Sequence, residues 1–541
     1  MPFCEGTGRQ RRHKQDLGEI LSGSMKVVTP YEITFLDPVS WRALCEDYLE
    51  AEDLRDLKRA IEDDYFFELF FDDLPMWGYV GEVIHEEFLL GKSIQGARVY
   101  LYPHLHFSFG FNKDQIVSAN VTTDPKRRID ITDVSVGREI VFSYSTEWVH
   151  MEDIKYDERM NRYAESTFLP SSFEIHWLSI INSFVLVLLL TAFLAIILMR
   201  ILKKDFSKYM EINDDDLTEE ETGWKMIRGE VFRPPQNLNL FAAFMGSGAQ
   251  VCTTVLVLLG WVLMGVLKLT RRGALLTSII IIYASSGLVG GLIAGRIFKQ
   301  LKGVNWVGNA VLTASVLPVP LFFVFFWVNS IAWGSNSTQA LPLTTILLVG
   351  AILLFSHFPL TLIGVVVARQ VTTEFMAPCR TNKIAREIPL VMKWYRHPMF
   401  QLILAGFLPF SAIYIELHYI FAAIWGHKIY TLFGILYLAF IMLVIVTSFV
   451  TIAVVYFQLA REDHRWWWRS FFYGGSTGLF IFGYAIFYFF HRSNMDGFLQ
   501  VSFYFGYTGI VSYAFFQMLG FIGFMSSFQF ITYIYGNVKT D

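Results

Sequence analysis

Polar and charged positions dominate residues 1–175, and long apolar runs separated by short polar breaks fill the rest of the chain. Nine runs are long enough to cross a bilayer: 177–201, 240–267, 274–298, 306–333, 341–368, 399–425, 429–459, 471–490 and 498–522, the last extending toward 534. Each meets the ~20 residues that ~30 Å of hydrocarbon requires. Each is predicted helical, because only a helix satisfies its own backbone in lipid. Residues 176–534 thus read as a nine-helix transmembrane domain, with a linker at 203–239 and a tail at 535–541. Before it, Leu44, Leu49, Leu54, Leu57 and Ile61 recur at helical spacing among the charges of 41–64. Stretches 65–71, 99–111, 116–122 and 139–148 have the composition of short strands, which predicts a mostly β domain, a sandwich, over 1–175. The fold class is a polytopic α-helical membrane protein preceded by a β-rich domain.

Composition agrees: 54% of residues are hydrophobic and 17% aromatic, above the ~45–50% apolar share of soluble domains. A net charge of −4 gives no basic surface for nucleic acid. Lysine and arginine fix an orientation. With the N-terminal domain outside the cytosol, the cytosolic loops and tail hold nineteen of them and the opposite short loops five. Lys268, Arg271 and Arg272 form a local exception. The sequons at Asn120 and Asn336 both fall on the non-cytosolic side and are glycosylation candidates. Cys4 and Cys45 share the polar domain; they pair if it lies in an oxidising lumen, and are otherwise two free thiols. Met1-Pro2-Phe3-Cys4 leads into a basic stretch with no apolar core, so no signal peptide is recognisable and an N-terminally incomplete chain is expected.

Enzyme signatures begin and then fail. His85-Glu86-Glu87-Phe88-Leu89 has Leu where a zinc-protease helix needs its second His, and Gly91-Lys92-Ser93 lacks the upstream glycine of a phosphate loop. No predicted span carries an internal aspartate for a two-aspartate protease. His104 and His106 share one face of a predicted strand, more in keeping with a surface pair than with a metal site. No enzyme activity, metal or cofactor is therefore expected. Ionisable residues inside spans are His357, Glu416 and His418, functional candidates because charge in lipid is costly. Glu416 lies about 6 Å on the lumenal side of its span's centre. Gly287, Gly291 and Gly295, four residues apart, form a strip that admits a neighbouring helix or a client helix. Prolines 318, 320, 359 and 409 interrupt spans, as in transporters and also in passive scaffolds. Trp466-Trp467-Trp468, flanked by arginines, reads as an interfacial anchor. The acidic stretch 213–221 reads as solvated linker or as a partner-binding patch.

Long strings carry a resemblance. They include Pro2-Phe3-Cys4, Leu17-Gly18-Glu19, Asp72-Asp73-Leu74-Pro75 with Trp77-Gly78, Glu174-Ile175-His176-Trp177, Gly223-Trp224-Lys225, Arg272-Gly273-Ala274-Leu275, Ala377-Pro378-Cys379-Arg380-Thr381, and Arg386-Glu387-Ile388-Pro389. Further along come Gly406 through Leu417, Trp425-Gly426-His427, Glu462-Asp463-His464, Trp466 through Ser470, and Gly474-Gly475-Ser476-Thr477-Gly478. Together they resemble the nonaspanins, the transmembrane nine or endomembrane protein 70 family, over nearly the whole chain. The resemblance implies a lumenal domain followed by nine spans in Golgi and endosomal membranes. It implies a role in sorting and surface delivery of client membrane proteins, with links to adhesion and phagocytosis. Lys539 and Asp541 match the family's Lys-any-acid signal for the COPI coat. Expected partners are thus membrane lipids, client transmembrane proteins and COPI. The competing expectation is a proton-linked transporter or channel using Glu416 and His418.

Overall fold

The computed structural model describes residues 17–21, 28–85, 97–133, 137–156, 159, 177–210, 223–267, 273–335, 337, 339–373, 375, 377–379, 381–382, 386–388, 397–425, 433–493, 495 and 497–536. The chain divides into two compact units: residues 1–14, 26–174 and 427–429 in one, and 15–25, 175–426 and 430–541 in the other.

The first unit is β-rich. Strands β1 (Val39–Leu49), β9 (Arg138–His150), β6 (His104–Asn112) and β7 (Gln115–Thr123) form a four-stranded sheet in that order. β9 runs antiparallel to β1 and parallel to β6. β2 (Phe66–Phe71) and β3 (Leu74–Tyr79) form a separate hairpin. Its two-residue turn places Asp72 and Asp73 at φ of 48° and 65°, the paired positive values of a turn that matches strand twist. A third sheet joins β4 (Gly81–His85), β5 (Ala97–Leu101) and β8 (Ile129–Asp130). Helix α2 (Ala51–Glu62) buries Leu54, Leu57 and Ile61 in one core, while Phe107, Phe109 and Tyr144 centre a second. The helical spacing expected over 41–64 holds only from Ala51. Residues Val39–Leu49 instead pair with β9, an instance of tertiary context overriding local pattern.

The second unit is helical. Helix α1 (Leu17–Leu21) is short, and α3 (Trp177–Met210) carries the first predicted span. The others are α4 (Leu238–Leu263), α5 (Ala274–Gln300), α6 (Trp306–Ser315), α7 (Pro318–Gly334), α8 (Leu343–Ile352), α9 (Phe358–Val371), α10 (Pro398–Trp425), α11 (Phe433–Leu459), α12 (Trp466–Arg492) and α13 (Phe498–Gly536). Eight helical stretches among the described residues are long and apolar enough to cross a bilayer. With α3 they account for the nine runs. Two spans are compound: α6 and α7 make one, and α8, a π turn at Leu353–His357 and α9 make another. The proline rings explain both breaks, since each removes an N–H and crowds the carbonyl four residues earlier. Pro320 leaves the Val316 carbonyl without its helical donor, and the Tyr513 hydroxyl donates to it at 3.1 Å. Helix α10 continues through Pro409.

Segment α1 sits against the start of α5. A Cβ on Gly18 would lie 1.8 Å from the Gly273 carbonyl oxygen, and Gly273 itself has φ +69°, so glycine is required at both. At the other end of α5, Lys299 donates to the Arg369 carbonyl. Gly229 accepts from the Asn382 N–H at 2.8 Å, and Arg386 pairs with Glu462 at 3.2 Å. Residues of the 203–239 linker, of 369–396 and of 461–469 therefore meet on one face of the unit, here called the linker face.

Candidate functional site

Buried polar side chains come from five spans of the helical unit. The π turn before Pro359 places His357 inward, 1% exposed, where its ring stacks on Tyr283 at 5.2 Å. Gln250 is fully buried, and its amide nitrogen donates to the Tyr283 carbonyl at 2.9 Å. That bond turns Gln250 Oε1 toward His357 Nε2, 3.3 Å away, and so favours the ring proton on Nε2. Thr254 and Ser286 hydroxyls lie 3.0 Å apart, and Ser247 donates to Gln517 Oε1 at 2.6 Å. Gln517 Nε2 and Asn309 Oδ1 are buried without a hydrogen-bond partner among the described residues. Such groups are costly in an apolar medium and stay only where packing or function holds them.

The glycine strip supports this cluster. A Cβ on Gly287 would lie 2.9 Å from His357 Cδ2, one on Gly291 2.1 Å from the Thr361 carbonyl oxygen, and one on Gly295 2.9 Å from Ala368 Cβ. The strip thus seats α9 against α5 within the molecule.

Glu416 and His418 lie on α10, and neither bonds to His357 among the described residues. Glu416 is 8% exposed and its Oε2 has no hydrogen-bond partner there. His418 Nδ1 is 3.0 Å from the Tyr484 hydroxyl of α12. Tyr484 also packs edge-on against Tyr414 and Phe421. The two residues thus sit on one helix in different surroundings.

The linker face holds a second constellation. Trp466 and Trp467 indoles donate to the Val231 carbonyl at 2.8 and 3.3 Å, and Trp468 donates to the Gln236 carbonyl at 2.9 Å. Tyr535, near the end of α13, donates to the Trp224 carbonyl at 2.6 Å. Trp224, Val231, Phe232, Trp466 and Trp467 are core residues. This corrects one expectation, since Trp466 and Trp467 are buried rather than interfacial anchors, and it shows that the part of the 203–239 linker from Trp224 to Phe232 packs into the helical unit. Below them, burial alone would raise the Asp463 carboxyl, but Arg469 at 2.6 Å and Arg465 more than offset it and hold it under the usual carboxylate range.

In the first unit, Asn120 is exposed on the edge strand β7. His104 lies 2.8 Å from Ser143 Oγ and 3.0 Å from Ser145 Oγ, and His106 lies 2.8 Å from the same Ser145 hydroxyl. His104 is therefore a buried, hydrogen-bonded histidine rather than half of a surface pair. No metal-holding group of three or more His, Cys, Asp or Glu occurs among the described residues. Cys45 is disulfide-bonded, while Cys252 and Cys379 are free. Cys4, Asn336, Lys539, Asp541 and the acidic stretch 213–221 lie outside the described residues. Gln250, Tyr283, Asn309 and Gln517 escaped the sequence reading, although neutral amides inside apolar spans are a usable signal for helix–helix polar contacts.

The model of the family described as endomembrane protein 70 matches residues 1–498. Transmembrane 9 superfamily member 4 of Arabidopsis thaliana is 45% identical over 543 residues, covering 100% of this chain and 90% of its own length. Transmembrane 9 superfamily member 1 of Bos taurus is 42% identical, with 100% and 90% covered. A Dictyostelium discoideum protein whose name includes the words phagocytic receptor 1b is 42% identical, again with 100% and 90% covered. No solved structure matches.

Proposed function

The chain belongs to the endomembrane protein 70 family, and from that premise we propose that it sorts and delivers other membrane proteins from Golgi and endosomal membranes, without an enzymatic step. One observation supports this reading most. The compound span Leu343–Val371 is only 11% buried along its most apolar window, against 61% for Gly434–Leu459. It exposes Leu347, Leu354 and Phe355 on the outside while turning His357 inward at the π turn. An uncovered, interrupted helix beside a polar core is a surface on which a client helix with small or polar residues can pack. The linker face is taken as cytosolic, in keeping with its lysines and arginines. The β-rich domain is then lumenal, Asn120 and Asn336 carry glycans, and Lys539 with Asp541 returns the protein through COPI.

Proximity labelling from the β-rich domain tests the sorting role. Enrichment of membrane proteins that falls when Phe355→Arg is introduced supports it; a labelled set unchanged by that substitution refutes it. Lys539→Ala is expected to move the protein to later compartments, and unchanged Golgi imaging overturns the COPI assignment.

The unpartnered Glu416 Oε2 favours one second reading, a proton-linked transporter or channel using Glu416 and His418. Solute flux in reconstituted vesicles that disappears with Glu416→Gln selects transport. Client capture that survives the same substitution selects sorting.

A further inference from the structure

The linker face of the helical unit contains a cavity of about 300 Å³, at the lower end of the ~300–1,000 Å³ range of small-ligand sites. Its lining comes mainly from α5 and α13, with Trp467 and Phe375 added. The lining is graded by depth. Arg296, Gln300 and Gln529 lie toward the outside, with Arg296 and Gln529 exposed and Gln300 half-buried. Phe524 and Trp467, 2% and 5% exposed, form its interior, with Phe528 and Met525 between.

Depth also fixes where the cavity sits along the span. Arg296 lies one helical turn before Gln300, the last residue of α5. That is about 6 Å from the helix end, near the level where headgroups meet acyl chains. Among the described residues, Arg296 has no hydrogen bond or ion pair, and no carboxylate lines the cavity. Lys299, one turn on, adds positive charge nearby.

A cation at the mouth, amides beside it and aromatic walls beneath match one class of ligand. We propose that this cavity binds an anionic phospholipid, its phosphate on Arg296 and one acyl chain against Trp467, Phe524 and Phe528. Basic pockets between helices on the cytosolic side of a membrane recognise anionic headgroups in this way. Positive charge at the mouth, from Arg296 and the neighbouring Lys299, favours an anionic headgroup over a zwitterionic one. The site stands apart from the polar core around His357 and from Glu416, so it holds under either the sorting or the transport reading.

The test uses the full chain purified in detergent, with bound lipid counted by native mass spectrometry during titration with phosphatidylserine or phosphatidylcholine of matched chains. Phosphatidylserine is expected to bind the more tightly. Arg296→Gln should weaken it about fivefold, the effect of one cation near a lipid surface, and Arg296→Lys should restore most of that loss. Met525→Trp, which fills the cavity, should remove the tight site while elution and thermal unfolding stay as in the parent protein. Glycerophosphoserine, the headgroup without chains, should not displace the lipid. Equal binding of both lipids, or an equal loss with Arg465→Gln outside the cavity, would overturn the proposal. Displacement by glycerophosphoserine as effective as by lipid would mark a phosphate site instead and refute the acyl-chain assignment. The competition arm needs no variant, so a misfolded substitution leaves the proposal open to refutation.

Discussion

The Trp466 indole N–H donates to the Val231 carbonyl at 2.8 Å, joining the start of one span to the linker before another. Trp467 shares that carbonyl at 3.3 Å; the Trp466 ring stacks on Phe524 of α13, and the Trp467 ring packs against it at a tilt. Three parts of the chain, far apart in sequence, are thereby held at one depth. The linker face is a packed layer of the fold.

Trp466→Phe keeps most of the ring area and removes the shorter of the two bonds. The Val231 carbonyl still has Trp467, so the expected loss is about 1 kcal/mol. Trp466→Phe with Trp467→Phe leaves a buried carbonyl without either indole, which raises the loss to about 2–3 kcal/mol. Thermal unfolding in detergent measures both. Equal losses for the single and the double variant would contradict the shared-acceptor geometry.

The glycine strip makes a contrast between positions. Gly291→Ala puts a methyl 2.1 Å from the Thr361 carbonyl oxygen, a backbone atom that cannot swing away, whereas Gly350→Ala meets nothing within 4 Å. The first is expected to destabilise the protein by about 1–3 kcal/mol through overpacking. The second is expected to be neutral or slightly stabilising, because alanine favours helix over glycine by about 1 kcal/mol. Thermal unfolding ranks them, and a Gly291→Ala variant as stable as Gly350→Ala would mean that α5 and α9 do not approach this closely.

The apolar runs located the helices well because a lipid-crossing helix must be continuously apolar, a constraint that needs no tertiary information. Ends were less legible. Helix α13 runs to Gly536 rather than 522 or 534, because its last turns are covered by Trp224 and Phe232 rather than by lipid. That cover was invisible in a linker read by charge alone. The prolines announced that spans were interrupted, but the inward turn of His357 depends on a π turn whose register no periodicity reveals. Strand β1 looked helical since its partner β9 lies about a hundred residues away, and pairing at that distance leaves no local mark. Gln250 and Gln517 were missed because single amides hardly disturb a hydropathy pattern.

The break at Pro320 gives a double-variant test. Tyr513→Phe removes the donor to the Val316 carbonyl and leaves it unpaired, at an expected cost of about 1–3 kcal/mol. Pro320→Ala returns an N–H four residues after Val316, so that carbonyl regains a helical donor. In the Pro320→Ala background, Tyr513→Phe should therefore cost much less. The coupling is read by thermal unfolding of the four proteins, and strict additivity would show that the tyrosine is not replacing the missing helical bond.

Acid should weaken the β-rich unit through His104. Burial lowers the His104 pKa below its ordinary 6.5, and the Arg127 guanidinium and His106 push the same way while Asp124 opposes them. The facing groups on β9 are the Ser143 and Ser145 hydroxyls, and Arg127 NH1 lies 3.4 Å from Nδ1, which favours a neutral ring with its proton on Nε2. The sign follows from proton counting. As pH falls below about 6.5, the unfolded chain takes up a proton at this histidine before the folded unit does, so stability falls with pH. The fall ends only below the depressed folded value, where both states are protonated. His104→Gln keeps hydrogen-bonding capacity and removes the titration, so its unfolding midpoint should change less between pH 7 and pH 5 than that of the parent protein. Hydrogen exchange of the β6 and β9 amides in the full chain localises the effect, since the neighbouring spans do not contain those strands. Identical pH dependence in the two proteins would mean that His104 is accessible enough to protonate within the fold, against its 5% exposure.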